Sequence, residues 1–156
     1  MEKEHKSVKE MWTKYLKVNG EDIESTKKTY SSWYFGDKSI ADDLAQLVKK
    51  GIKRGTTSLY YFYELENEEL PKVGDLNIIT DYEGIAKCII ENIKITVLPF
   101  NEVTEELSVI EGEGDKSLDY WRKAHIKFFT RELREVQKEF SEDMPVVFEE
   151  FRVVYK

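Results

Sequence analysis

Lys53 and Thr56 stand three residues apart in "GIKRGTTSLYYFY" (residues 51–63), where a helix-ending glycine gives way to a strand-like aromatic run. A threonine hydroxyl becomes a nucleophile only when a base takes its proton, and a lysine can be that base only if desolvation lowers its ammonium pKa from about 10.4. The same residues also suit a solvated loop lysine beside an ordinary strand threonine. Further on, "EGEGDKSLDYWRKAHIKFF" (111–129) brackets Glu111 and Glu113 with Gly112 and Gly114. Such a segment is not settled helix. If it is extended, both carboxylates point to one side, where one can accept a proton or hydrogen-bond a substrate amide. The competing reading is acidic charge ahead of a helix N-terminus, although the dipole that favours such charge has no need of two glycines.

Other residues offer weaker chemistry. Trp33, Tyr34 and Phe35 precede Gly36 as an aromatic cluster without helical or strand periodicity. Core filling is its ordinary role, and a stacking wall for a nucleic-acid base is the alternative. Arg122 follows Trp121 at the edge of an apolar helix face, as an ion-pair partner or an anion clamp. His125 lies on that face and reads as a core or supporting histidine. His5 is far away in sequence, so there is no metal-ligand signature and no cofactor is expected. Cys88, the single cysteine, sits inside "IAKCIIENI" and is expected to be buried and unreactive.

The elements that must position these residues follow from periodicity and turn chemistry. Residues 6–17 place Val8, Met11, Trp12 and Tyr15 on one helical side. Ser39 is a candidate N-cap for a helix carrying Ile40, Leu44, Leu47 and Val48, closed by Gly51. Residues 57–63 read as a strand, "LPKVGD" as a turn into the strand "LNIIT", and "DYEG" (81–84) as a hairpin turn into the apolar "IAKCIIENIKITVLPF". Asp115 or Ser117 can cap a long helix bearing Leu118, Trp121, His125, Phe128, Phe129, Leu133, Val136 and Phe140. Val147, Phe151, Val153 and Tyr155 alternate in a last strand. Strands and helices without a βαβ rhythm give an α+β fold on a mixed or barrel-like sheet.

The 156 residues suit one domain with a real core. Net charge is −7 and unevenly spread: +3 over residues 1–56 and −10 over residues 57–156. A net acidic chain is poorly suited to gripping a long phosphate backbone, since that binding rests on cations replacing counterions. The start, "MEKEHKSVKEMW", has no apolar targeting core and no run reaches the roughly 18 apolar residues of a membrane span. With one cysteine, a cytoplasmic protein that does not engage membranes is expected.

The runs "SSWYFGDKSIADDLAQLVKKGIKRGTTSL", "LPKVGDLNIIT", "VLPFNEVTEEL" and "EGEGDKSLDYWRKAHIKFF", in this order, resemble the ASCH domain family. The resemblance covers roughly residues 30–156, leaving 1–29 as an N-terminal helical extension packed on the domain. It implies a PUA-like mixed β-barrel surrounded by helices, with a cleft between the G-x-K-x-x-T loop and the E-G-E-G-D segment. The family is proposed to bind RNA, some members are described as ribonucleases, and one related bacterial branch hydrolyses N(4)-acetylcytidine to cytidine and acetate. Carried over by motif, Lys53, Thr56 and Glu113 match that branch's catalytic set. Substrate binding is assigned to Trp33, Phe35, Arg54, Ser58, Glu111 and Arg122. The expected partner is a nucleoside-type small molecule or a short single-stranded RNA. In a hydrolase, Lys53 is either the base or a cationic orienting group with Glu113 as base, because a glutamate beside a lysine favours the ammonium.

Overall fold

Ile78 and Ile79 are neighbours in sequence and both fully buried, which a strand achieves only if both of its faces are covered. The computed structural model, which describes residues 3–156, shows how. Its helices are α1 (Lys6–Val18), α2 (Ala41–Lys49), α3 (Tyr60–Leu65), α4 (Glu105–Glu111) and α5 (Leu118–Arg134). Its strands are β1 (Ser31–Trp33), β2 (Gly55–Leu59), β3 (Leu76–Thr80), β4 (Ala86–Pro99) and β5 (Pro145–Tyr155), with one 3-10 turn at Phe100–Glu102. The fold is mixed α+β, with strands hydrogen-bonded in the order β1-β3-β4-β5-β2. β1 runs parallel to β3, while the β3–β4 and β2–β5 pairs are antiparallel. Residues 1 and 2 of the expected 1–29 extension lie outside the described residues.

The chain divides into two compact units. The first comprises Met1–Gly51, Val73–Asn92 and Phe151–Lys156, and the second Ile52–Lys72 and Ile93–Glu150. In the first, α1 lays Val8, Trp12 and Leu16 on Leu76, Ile78 and Ile89. α2 lays Leu44, Ala45 and Val48 on Ile79, Cys88, Ile90 and Phe151. The alternation of β3 thus feeds two helices, one per face. Cys88 is fully buried, and burial pushes its thiol up to about 12. Ser39 does not cap α2. Asp37 captures both the Ser39 amide and its hydroxyl in a local turn, and the N-cap position falls to Ile40, which makes no side-chain cap bond. Gly51 does take the left-handed conformation just past the helix, with φ +76°.

The second unit is built on Leu59, Phe100, Val103, Trp121, Phe129, Leu133 and Val146. Two sequence expectations are corrected here. The strand expected to reach Tyr63 stops at Leu59, and the chain turns into α3. The run Tyr60–Tyr63 has no polar alternation to hold a half-covered strand, and the helical turn brings Tyr61 and Phe62 onto the core. The long helix ends at Arg134 rather than near Phe140. Gln137 adopts φ +55°, and the Lys138 and Gln137 amides donate to the Leu133 and Arg134 carbonyls, closing the end in the manner of a Schellman motif. Phe140 still reaches the core from the coil beyond, edge-on to Phe100 at 5.0 Å.

Candidate functional site

From Ile52 onward, both chemical segments of the sequence lie in the second unit, and short elements aim them. α4 was not legible as a helix. Thr104 caps it, its hydroxyl oxygen accepting from the Leu107 amide, Glu105 and Glu106 occupy its first turn, and Glu111 is its last residue. The condition set for residues 111–114, an extended segment, does not hold: Glu111 is helical and Gly112 is the left-handed cap, φ +73°. A Cβ on Gly112 would stand 2.1 Å from the Ile52 carbonyl oxygen and 3.0 Å from the Lys53 Cα. Close approach of the two backbones is what this glycine permits, and it is sealed by the Arg54 amide donating to the Ile110 carbonyl at 2.8 Å.

Across that approach Lys53, 1 % exposed, donates to Glu113 Oε2 at 2.7 Å, to the Gly55 carbonyl at 2.8 Å and to Glu111 Oε2 at 3.4 Å. Three acceptors match the three N–H bonds of an ammonium. This favours the sequence reading in which Lys53 is a fixed cation rather than the base. Glu111 is equally occupied. Its Oε1 accepts from the Thr57 hydroxyl at 2.6 Å and the Trp121 indole at 2.9 Å, and its Oε2 from His125 Nε2 at 3.0 Å as well as from Lys53. With four donors on four acceptor positions it is an organiser of the cluster, not a proton carrier. Burial alone would raise the Glu111 carboxyl, but the charges of His125 and Lys53, with the His125 and Thr57 hydrogen bonds, outweigh it and hold the group well below the usual carboxylate range.

Glu113 differs. Its side chain is 21 % exposed, and burial, with the like charge of Glu111, raises its carboxyl against the pull of Lys53. It is the carboxylate of the cluster that both meets solvent and holds its proton more tightly than an ordinary glutamate. For His125, burial favours the neutral ring, yet the Glu111 carboxylate beside it prevails and the imidazolium is favoured. Glu111, Glu113 and His125 bring possible ligand atoms within 4.8 Å of one another, but the Lys53 ammonium stands among them as the cation.

The remaining expected residues are placed as follows. On β2, Gly55, Thr57 and Leu59 are buried while Thr56 and Ser58 are half-buried on the other face. The hydroxyl that joins the cluster is that of Thr57, a residue the K-x-x-T spacing passed over. Thr56 makes no side-chain hydrogen bond among the described residues. Ser58 hydrogen-bonds the Tyr63 hydroxyl at 2.9 Å, and both line a cavity of about 440 Å³. Glu132 on its wall is pushed up to about 7 by burial and by Glu135. Arg54 is exposed. Arg122 pairs with Glu142 and lies 5.6 Å from the Phe100 ring. Trp33 and Phe35 belong to the first unit, where the Trp33 indole donates to Asn77 at 2.8 Å and Phe35 is buried beside Ile79 and Cys88.

The chain as a whole is similar to known proteins. The family model for the ASCH domain matches residues 31–155. An ASCH domain from Lactobacillus crispatus JV V101, known from its crystal structure, is similar over 100 % of this chain and 99 % of its own, with 38 % identity and a TM-score of 0.90. A protein from Enterococcus faecalis V583, also known from its crystal structure, shares 35 % identity over 96 % of this chain and 89 % of its own, with a TM-score of 0.85. No match is found among curated proteins. The chain belongs to the ASCH domain family. No helix among the described residues is long and apolar enough to cross a membrane.

Proposed function

We propose that the protein is a cytoplasmic amidohydrolase that removes the acyl group from an N-acylated nucleoside such as N(4)-acetylcytidine, with Glu113 as the proton carrier. The PUA-like architecture and the hydrolase branch are what the motif resemblance implies. The observation that carries the reading is the Lys53–Glu113 contact of 2.7 Å, with the lysine sealed and the glutamate open to solvent. In this scheme a water oxygen attacks the acyl carbon while the Glu113 carboxylate takes one of its protons. The tetrahedral oxyanion collapses with rupture of the C–N bond, and Glu113 returns the proton to the departing exocyclic nitrogen. Carboxylic acid and nucleoside leave, and the acid loses its proton to solvent. Lys53 holds a positive charge against which Glu113 can cycle between its two states.

Water is the nucleophile in this proposal because Thr56, which the motif puts in that role, has no base within hydrogen-bonding contact. The full-length chain incubated with N(4)-acetylcytidine and other N-acyl nucleosides should release the free carboxylate. Glu113→Gln should lower turnover by roughly 10²- to 10⁴-fold, while Thr56→Ala should retain it. Loss of turnover in Thr56→Ala returns the nucleophile to the threonine, and no turnover of any substrate by the wild type rejects the hydrolase. One observation favours a second reading, a short single-stranded RNA as ligand: Arg54, next to the sealed lysine, is exposed. RNA binding without turnover would select it.

A further inference from the structure

Resting on the reading of Glu113 as proton carrier, we propose that His125 is a positioning residue for the Lys53–Glu113 pair and that it acts through Glu111. Each ring nitrogen of His125 faces an atom that only accepts. Nδ1 lies 2.8 Å from the Trp121 carbonyl oxygen and Nε2 3.0 Å from Glu111 Oε2. A ring between two acceptors donates from both nitrogens, so it is an imidazolium. The Trp121 indole stacks on it, centroids 4.2 Å apart and planes 20° from parallel, and Phe129 meets it edge-on at 5.5 Å. Both neighbours are uncharged. The charged groups facing the ring are Glu111 from α4 and, beyond it, Lys53 and Glu113.

Glu111 Oε2 is the shared atom. It takes the imidazolium at 3.0 Å and the Lys53 ammonium only at 3.4 Å, while that ammonium lies 2.7 Å from Glu113. With the imidazolium in place, Glu111 has a full counter-charge and leaves Lys53 to lean toward Glu113. Without that charge, Glu111 keeps two neutral donors on Oε1, Thr57 and Trp121, and the ammonium becomes the cation it must recruit. In a buried setting Coulomb attraction is strong enough to move a flexible lysine tip a few tenths of an ångström. The Lys53–Glu113 contact then lengthens from 2.7 Å and weakens, so Glu113 binds its proton more tightly and serves as a base only at higher pH.

The test is a carboxyl ¹³C NMR titration of Glu113 in the full chain, free of substrate, in the wild type, His125→Gln, Glu111→Gln and the double variant. His125→Gln should move the Glu113 midpoint upward. The same substitution made on Glu111→Gln should move that midpoint clearly less, because only the direct pull of the imidazolium on Glu113 then remains. An equal rise on both backgrounds means a direct through-space effect and overturns the proposal, as does no rise on either. Imidazole ¹⁵N shifts of the wild type at neutral pH decide the matter even if a variant does not fold: both nitrogens protonated is expected, and a neutral ring overturns it. These readouts need no turnover, so failure to hydrolyse N-acyl nucleosides counts against the proposed reaction alone. Where turnover is present, the acid limb of the rate profile should move with the Glu113 midpoint in His125→Gln.

Discussion

The two units bury different kinds of polar side chain. In the first unit they are Asn77, Thr80 and Asn92, all neutral; in the second they include Lys53, Glu111, His125 and Glu149. A neutral amide or hydroxyl is satisfied by one or two neighbours, as Asn77 is by the Trp33 indole. A buried charge needs opposite charge and nearly every lone pair or proton engaged, and even then contributes little net stability over an apolar replacement. A fold that needed only to be stable would have no use for the second arrangement. The contrast is what the proposed chemistry of the second unit accounts for, and it can be broken experimentally.

The largest effect should come from Lys53→Met. The substitution leaves the Glu111 and Glu113 carboxylates to the imidazolium alone, and removing one partner of a buried ionic network costs about 3–5 kcal/mol. Urea denaturation is the measurement. A loss below about 1 kcal/mol would mean that the charges of the second unit are no more demanding than the amides of the first.

Gly112 and Gly20 sharpen the comparison, since the two share φ +73° in different units. Gly20→Ala meets nothing within 4 Å and should cost only the left-handed backbone term, about 1–2 kcal/mol. Gly112→Ala adds a Cβ 2.1 Å from the Ile52 carbonyl oxygen. It should cost more than Gly20→Ala in the same denaturation experiment, and it should part the backbones that bring Lys53 to the carboxylates. Equal costs would show that the close approach is not what Gly112 is for.

How much of this was written in the sequence varies with the kind of signal. The helices α1 and α5 and the strand β5 carry long runs of period 3.6 or 2, and they were legible. α4 is seven residues long, with Val109 and Ile110 in its last turn. β-branched residues weaken a helical signature that so short a segment cannot recover by repetition. Its cap, Thr104, and its closing Gly112 were the available clues. At the site, residue types and glycine spacing pointed to Lys53, Glu111 and Glu113. They did not separate Thr57 from Thr56, because which face of β2 is covered depends on β5 and α4, far away in the chain. The division of labour between the two glutamates was also out of reach, since it depends on which of them the indole and imidazole of α5 find.

The smallest predicted effect is a pH dependence of stability that belongs to the second unit. The His125 pKa is raised above its ordinary value of 6.5 in the fold, so its contribution is fully present below pH 6.5 and is lost as pH rises through the folded value. Glu113, also raised, behaves with the same sign from its ordinary 4.5 upward. Glu111 is lowered, so its contribution is present above pH 4.5 and disappears only as pH falls through its much lower folded value. Stability should therefore decline on the alkaline side of pH 6.5 before any acid loss of Glu111 matters. Each tenfold difference in proton affinity between folded and unfolded chain is worth about 1.4 kcal/mol. His125→Gln should flatten the decline above pH 6.5 while leaving the slope at lower pH in place, as read from urea midpoints across the pH range. A decline that persists unchanged in His125→Gln would assign the alkaline loss to groups elsewhere and remove the imidazolium from the set of charges that the second unit was folded to keep.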